Sequence, residues 1–291
     1  MSDTQHATIR ADAWDDYRTL ATHVGVDVRQ VTGTDPWVAT ALLEDIWGTK
    51  PVEAALLVAL EHAGGYAVVA VDASADAGDP SKATDERQVV GAAAGFFATP
   101  LGVALHSHVA GVRPGLGRPG IGRTMKLHQR AWCLDRGVTE VTWTFDPLVS
   151  RNAHINIVRL GAQIDEYLVD FYGNMPDGIN AGQGSDRALV RWRLNRPYLP
   201  NGAELPTAHA TASPVLVAAP DGSPHSNPAP ASAAVTLAIP RDIEGLRVTN
   251  PAQASAWRTA LRDTMAPLLG DGWRVTGFEP HTGYLVERPT S

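Results

Sequence analysis

Cysteine is nearly missing from these 291 residues, with Cys133 standing alone. One thiol cannot close an internal disulfide, and it leaves no cysteine cluster to hold zinc. Basic charge is also in deficit, 24 Lys and Arg against 31 Asp and Glu for a net charge of -7, which argues against general nucleic-acid binding. Long apolar runs are lacking as well: none approaches the roughly 18 residues needed to span a bilayer. The polar start Met-Ser-Asp-Thr-Gln-His has neither the basic nor the apolar region of a signal peptide, so a cytoplasmic protein without a membrane partner is expected. What remains is 44% apolar and 19% charged, the composition of a soluble globular chain long enough for one large domain or two modest ones.

Periodicity predicts helices over 11–22, 36–47 and 51–62, with a strand at 26–31 between the first two. Pro36 and Pro51 would then stand near helix starts. Strands follow at 66–71, 88–98 and 105–112, the first two joined by the polar loop Ser74 to Glu86. From Ile121 the apolar spacing becomes helical as far as Gly137, with Cys133 inside as a packed small hydrophobe. A strand at 138–146, a helix at 152–160 closed by Gly161, and strands at 163–169 and 188–194 complete this part. Seven prolines between 200 and 230 read as a loose connection with one short strand at 215–219. Beyond it lie strand 233–239, helix 251–269 with Asn250 as N-cap and Gly270 as its end, and strands 273–278 and 284–287. The divisions expected are 1–200, a connection over 201–232, and a small α/β unit at 233–291.

The stretch from His106 to Gly122 carries the chemistry. Strand, glycine-dense turn and helix follow one another, with Gly115, Gly117, Gly120 and Gly122 in eight residues, so that backbone N–H groups and a helix dipole can grip a pyrophosphate. Six basic residues from Arg113 to Arg136 face one acid, Asp135, and give the region a field suited to an anion. Taken literally, Gly115-Leu-Gly117-Arg-Pro-Gly120 is a dinucleotide-binding fingerprint with Glu140 about 20 residues on. A Rossmann unit usually opens its domain, however, and three antiparallel strands are expected first.

Val112-Arg-Pro114 leading to Gly117-Arg-Pro-Gly120-Ile-Gly122 resembles the acetyl-CoA site of the GNAT N-acetyltransferase superfamily, where Val-x-Pro precedes R/Q-x-x-G-x-G/A. Here Gly117 replaces the usual Arg or Gln, and Arg118 comes one residue later. The segments Leu105-His-Ser-His-Val, Lys126-Leu-His-Gln-Arg130, Trp143-Thr-Phe-Asp-Pro-Leu148, Asn152-Ala-His-Ile-Asn156, Arg159-Leu-Gly-Ala162, Phe171-Tyr-Gly173 and Asp186-Arg187 resemble a subgroup of predicted GNAT acetyltransferases with a C-terminal extension. The resemblance implies an α/β acyl-CoA N-acyltransferase fold: a mixed, mostly antiparallel central sheet flanked by helices, with a small C-terminal α/β unit.

It further implies acetyl-CoA as co-substrate, with no metal, and transfer of an acetyl or other short acyl group to a small-molecule acceptor, an amine by preference. Turn residues Gly117, Arg118, Gly120, Ile121, Gly122 and Arg123 would bind the pyrophosphate, and a backbone N–H within Val109, Ala110, Gly111 and Val112 would bind the thioester oxygen. His106 and His108 share one side of a strand and titrate near neutrality, so either could accept a proton from the amine; the alternative is a pair of hydrogen-bonded, half-buried histidines. The family's usual tyrosine acid is absent, its place taken by Ile157, which leaves Tyr172 as proton donor or as a packed aromatic. Asp146 reads either as a base or substrate anchor, or as the cap of the turn before Pro147. Asn152 and Asn156 lie one helical turn apart and could hold pantetheine or the adenine end, with Asn152 as an N-cap the alternative. Two other functions stay open, a CoA-binding regulator without turnover and a dinucleotide-dependent oxidoreductase, and a homo-oligomer is compatible with any of the three.

Overall fold

A computed structural model describes residues 3–73, 88–116, 118–173, 184–228 and 232–289. The expected loop Ser74 to Glu86, together with Gly117 and Pro230, lies outside the described residues. In chain order the elements are α1 (Asp3–Val24), β1 (Val26–Gln30), α2 (Asp35–Trp47), α3 (Ala54–His62), β2 (Tyr66–Asp72), β3 (Val89–Ala98), β4 (Ala104–Val112), α4 (Ile121–Asp135), β5 (Glu140–Phe145) and α5 (Ser150–Ala153). They continue as β6 (Gln163–Leu168), β7 (Arg187–Arg193), β8 (Ser213–Ala218), β9 (Pro224–Ser226), β10 (Ala234–Leu237), α6 (Ile243–Thr249), α7 (Pro251–Gly270), β11 (Arg274–Glu279) and β12 (Gly283–Glu287). A seven-stranded sheet has the order β1-β2-β3-β4-β5-β7-β6, and a five-stranded sheet the order β11-β12-β10-β8-β9. This is a mixed, mostly antiparallel sheet flanked by helices, with a distinct smaller C-terminal sheet and helix unit.

Two compact units divide the chain, Met1–Thr142 with Arg193–Tyr198, and Trp143–Trp192 with Leu199–Ser291. In the first, strands β1 to β4 pair antiparallel in sequence order. One sheet face carries Ala67, Val69, Ala92, Ala94 and Val109, packed on Val38, Ala39, Leu42 and Leu43 of α2. The opposite face meets α4, where Tyr66 packs edge-on against Trp132 and its hydroxyl donates to the Met125 carbonyl. Arg130 of α4 is almost wholly buried and donates to the carbonyls of Leu194 and Arg196 and to Asp16 of α1, so a backbone turn and a helix are fastened by one guanidinium.

The second unit is organised around buried ion pairs. Asp146, just past β5, takes one carboxylate oxygen to Arg247 of α6 and Arg258 of α7 and the other to the Leu148 N–H. Asp186 accepts from Arg262 at 2.6 and 2.9 Å and from the Tyr167 hydroxyl at 2.8 Å. Removing one partner of such a pair leaves an uncompensated buried charge, a loss of about 3–5 kcal/mol.

Several expected boundaries move. The first helix starts earlier, and α3 opens at Ala54 rather than Pro51, with Glu53 at its N-cap. The helix expected at 152–160 begins at Ser150 and widens into a π-turn over His154–Arg159, so Val149 occupies the N-cap position and Asn152 does not. Asn250 caps α7 as expected, but the helix runs through Gly270 to Asp271. The proline-rich stretch is not structureless: it holds a 3-10 turn at Thr207–Thr211 and strands β8 and β9. Pro224 is accommodated because β9 is an edge strand, where a missing N–H need cost no ladder bond.

His128 sits under α1 among Trp14, Tyr17 and Tyr66, with its Nδ1 3.1 Å from the Tyr66 hydroxyl. Burial pushes its pKa down to about 4 from the usual 6.5. The unfolded chain therefore takes up a proton that the folded chain refuses as pH falls from 6.5 to 4, and stability drops by up to about 3 kcal/mol over that window. Urea unfolding of the parent and of His128→Gln at pH 7 and pH 4.5 should show this part of the acid sensitivity vanish in the variant.

Candidate functional site

β4 is the strand on which the first unit's candidate residues meet. It runs antiparallel to β3 throughout, but its parallel ladder with β5 covers Ala104, Leu105 and His106 against Glu140, Val141 and Thr142. Opposite β3, Gly95 pairs with Ser107 and Ala94 with Val109, so His108 is an extra, bulged residue. Both imidazoles close on the Phe96 ring, at 5.4 Å for His106 and 5.9 Å for His108. His106 Nδ1 lies 3.2 Å from the Thr142 hydroxyl, and His108 Nε2 lies 3.4 Å from the Pro51 carbonyl oxygen.

Ser107 points to the other face, where its hydroxyl accepts from Lys126 at 2.9 Å and from Gln129 at 3.2 Å. Lys126 also donates to Gln129 Oε1. Burial drives this lysine down to about 7. His106 is lowered below the usual imidazole range by its own burial first, then by the charges of His108 and Lys126, and so stays neutral at neutral pH. The sequence places Lys126 in a basic run without distinguishing it. Its partnership with Ser107 and Gln129 depends on α4 crossing β4, which no local pattern shows.

α4 starts on Gly120, whose φ of 108° belongs to glycine and whose side-chain direction is closed by Val24. No side chain caps the helix and no acid occupies its first turn. The two other sequence glycines differ in what requires them. A Cβ on Gly111 would come within 2.7 Å of Ile46 and 2.8 Å of Trp47, so packing of α2 explains that residue. Among the described residues a Cβ on Gly122 would meet only Val112, at 3.7 Å, and none of them requires glycine there. Beside it, Arg123 Nε is buried without a hydrogen-bond partner among the described residues. Arg118 is turned to Asp72, with a further contact to the Gly25 carbonyl, and Gly117 falls outside the described residues. An uncapped helix start, an open glycine and an orphaned guanidinium N–H together fit a phosphate-bearing group.

In the second unit the candidates separate. Asp146 is 9% exposed and already accepts from two guanidinium groups and an amide. Burial opposes its ionisation, but Arg258 and Arg247 outweigh this and hold the carboxyl below its usual range, which is the opposite of what a base near neutrality requires. It does cap its turn, as the alternative reading had it. Tyr172 is exposed, its hydroxyl 3.2 Å from Thr144 Oγ1 and its ring 5.2 Å from the Arg187 guanidinium. Asn152 lies in the first turn of α5, and Asn156 is buried in the π-turn. Cys133 is fully buried in α4 with its pKa pushed up by desolvation, which leaves it inert as a nucleophile. Among the described residues no group of three or more His, Cys, Asp or Glu could hold a metal ion, and no helix is long and apolar enough to cross a membrane.

No family model and no curated protein matches this chain. Among solved structures, it is similar to a protein from Salmonella typhimurium described as an acetyltransferase and solved with acetyl-CoA, at 13% identity over 62% of this chain and 99% of that one, with a TM-score of 0.45. A GNAT family acetyltransferase from Elizabethkingia anophelis with acetyl-CoA bound gives 13% identity, 58% and 98% coverage and a TM-score of 0.42. A ribosomal-protein-alanine N-acetyltransferase from Brucella melitensis gives 18% identity, 57% and 99% coverage and a TM-score of 0.43.

The two glycines make opposite stability predictions. Gly122→Ala should leave the protein as stable or raise its stability by up to about 1 kcal/mol, the usual helical difference between these residues. Gly111→Ala should lose about 1–3 kcal/mol through overpacking against α2. Denaturant midpoints of both variants check the pair.

Proposed function

We propose that this chain is an acyl-CoA-dependent acyltransferase of the GNAT kind, moving an acetyl or other short acyl group to a small amine. The observation that carries the reading is Gly122: a glycine in the first turn of an uncapped helix, useless to the protein's own packing and placed where a diphosphate would need close backbone approach. Amides of Gly120, Ile121, Gly122 and Arg123 would receive the diphosphate, and Arg123 Nε supplies a further donor. Val109 to Val112 offer the backbone N–H for the thioester oxygen, since the ladder to β5 ends at His106.

Direct attack needs no covalent help from the protein. The amine nitrogen forms a bond to the thioester carbonyl carbon, the carbon–sulfur bond breaks, and CoA leaves as the thiolate. His106 takes the proton that the amine loses, a task suited to an imidazole kept neutral at pH 7. His108 shares the same aromatic contact and completes the proton-accepting side. Asp146 is left out of the catalytic set because two arginines occupy it.

Acetyl-CoA titrated into the protein should bind, and Gly122→Val should weaken binding by about tenfold or more with an unchanged denaturant midpoint. Equal affinity in the variant would remove the turn from the site. With an acceptor found by thiol release across an amine panel, kcat/KM should rise with pH through an inflection below 6.5. His106→Gln should abolish that inflection and lower kcat by about 10²-fold. A variant that keeps the parent profile would sink the base assignment, and acetyl-CoA binding without thiol release from any amine would favour the regulator.

A further inference from the structure

The C-terminal sheet has a cavity of its own, about 650 Å³, in the size range of small-molecule sites. Strands β8 and β10 run parallel, and β12 pairs antiparallel with β10, so the ends of β8 and β10 and the turn from β11 to β12 all lie along one edge of the sheet. That edge and the flank of α6 and α7 enclose the hollow. Its apolar lining includes Val217, Pro240 and Leu246; Leu216 and Trp257 also border it but are wholly buried, the indole pinned by a 3.0 Å hydrogen bond from Nε1 to the Gly222 carbonyl.

Polar groups at the cavity are unevenly committed. Asp242 accepts from the Gly245 N–H, Asp221 accepts from the Ser223 N–H and hydroxyl, and Glu279 is used by the N–H groups of His281 and Thr282. Arg241 differs. Its guanidinium donates to Nδ1 of His281, and among the described residues it has no carboxylate partner. Since arginine can only donate, His281 accepts through Nδ1 and its Nε2 carries the remaining N–H. Two donors therefore stand side by side at the exposed rim of the hollow, one of them a permanent cation with no carboxylate at ion-pair distance among the described residues, although Asp221 and Asp242 line the hollow as well.

We propose that this cavity binds a small amphipathic monocarboxylate, with its carboxylate on Arg241 and His281 and its hydrocarbon body against Val217, Pro240 and Leu246. A planar guanidinium suits a carboxylate, and the apolar wall gains from an aliphatic or aromatic body but offers nothing to a polar one. The site is separate from the helix start assigned to CoA and does not depend on that assignment.

Calorimetry on the full chain with octanoate, octylammonium and octan-1-ol tests the site. Octanoate should bind at least about tenfold more tightly than the alcohol, and octylammonium should not bind. Arg241→Gln should cost octanoate about tenfold or more, and Arg241→Glu should abolish its binding, with the unfolding midpoint and the acetyl-CoA affinity unchanged in both. Equal binding of octanoate and octan-1-ol, octanoate affinity indifferent to Arg241→Gln, or no octanoate binding at all would each overturn the proposal. Loss of acetyl-CoA binding in the parent would bear on the acyltransferase reading and leave this one standing.

Discussion

Burying Asp146 is the constraint that the second unit is built to satisfy. A carboxylate taken out of water needs charge and hydrogen bonds in return, and here it draws Arg247, Arg258 and the Leu148 amide onto itself. Those two arginines belong to α6 and α7, more than a hundred residues later in the chain, so one acid at the end of β5 fixes where the C-terminal helices lie on their own unit. Asp186 repeats the device with Arg262 and Tyr167, and Tyr284 adds a 2.5 Å bond from its hydroxyl to the Pro147 carbonyl. Apolar packing gives these helices affinity for the sheet; the paired charges give them register.

The first unit solves a related problem differently. Its sheet faces are apolar and alanine-rich, which lets α2 and α4 come close, and its buried polar groups are met one at a time or, like Thr40 Oγ1, Arg123 Nε and Trp132 Nε1, have no partner among the described residues. Arg130 gives its donors to two backbone carbonyls and Asp16, while Lys126 is held by a serine and a glutamine. Burial lowers this lysine to about 7, and in its charged form it adds to the burial and the neighbouring His108 that keep His106 neutral. Neutral imidazole at neutral pH is thus a product of burial and neighbours rather than of the histidine pair by itself.

Local pattern made much of this architecture legible. Strands β1 to β4 and helices α2, α4 and α7 carry clear apolar periods and recognisable ends, such as Pro36 in the first turn of α2 and Asn250 before α7. What escaped was non-local. The short helix α6 has few apolar residues of its own and is held by Asp242 at its start and Arg247 on Asp146, a partner that no window of sequence contains. Strand β8 was expected at 215–219, but β9 was hidden by Pro224, which its edge position tolerates. Asp146 read either as a base or as a turn cap, and the structure gives it an arginine pair and the Leu148 amide; Gly111 read only as part of a backbone stretch, and the Trp47 ring accounts for its missing side chain. Gly122, by contrast, gained weight because no internal neighbour accounts for it.

The bulge at His108 sorts the side chains of β4. Before it, Ser107 faces α4; after it, Val109 and Gly111 face α2, although odd-numbered residues of an unbroken strand would all face the same way. The extra residue is therefore a switch of handedness in the strand's address system. Pairing the same residues without the bulge would send Val109 toward the lysine and empty the valine's place beneath α2, so the extra residue is what lets Ser107 and Val109 serve opposite faces of one strand.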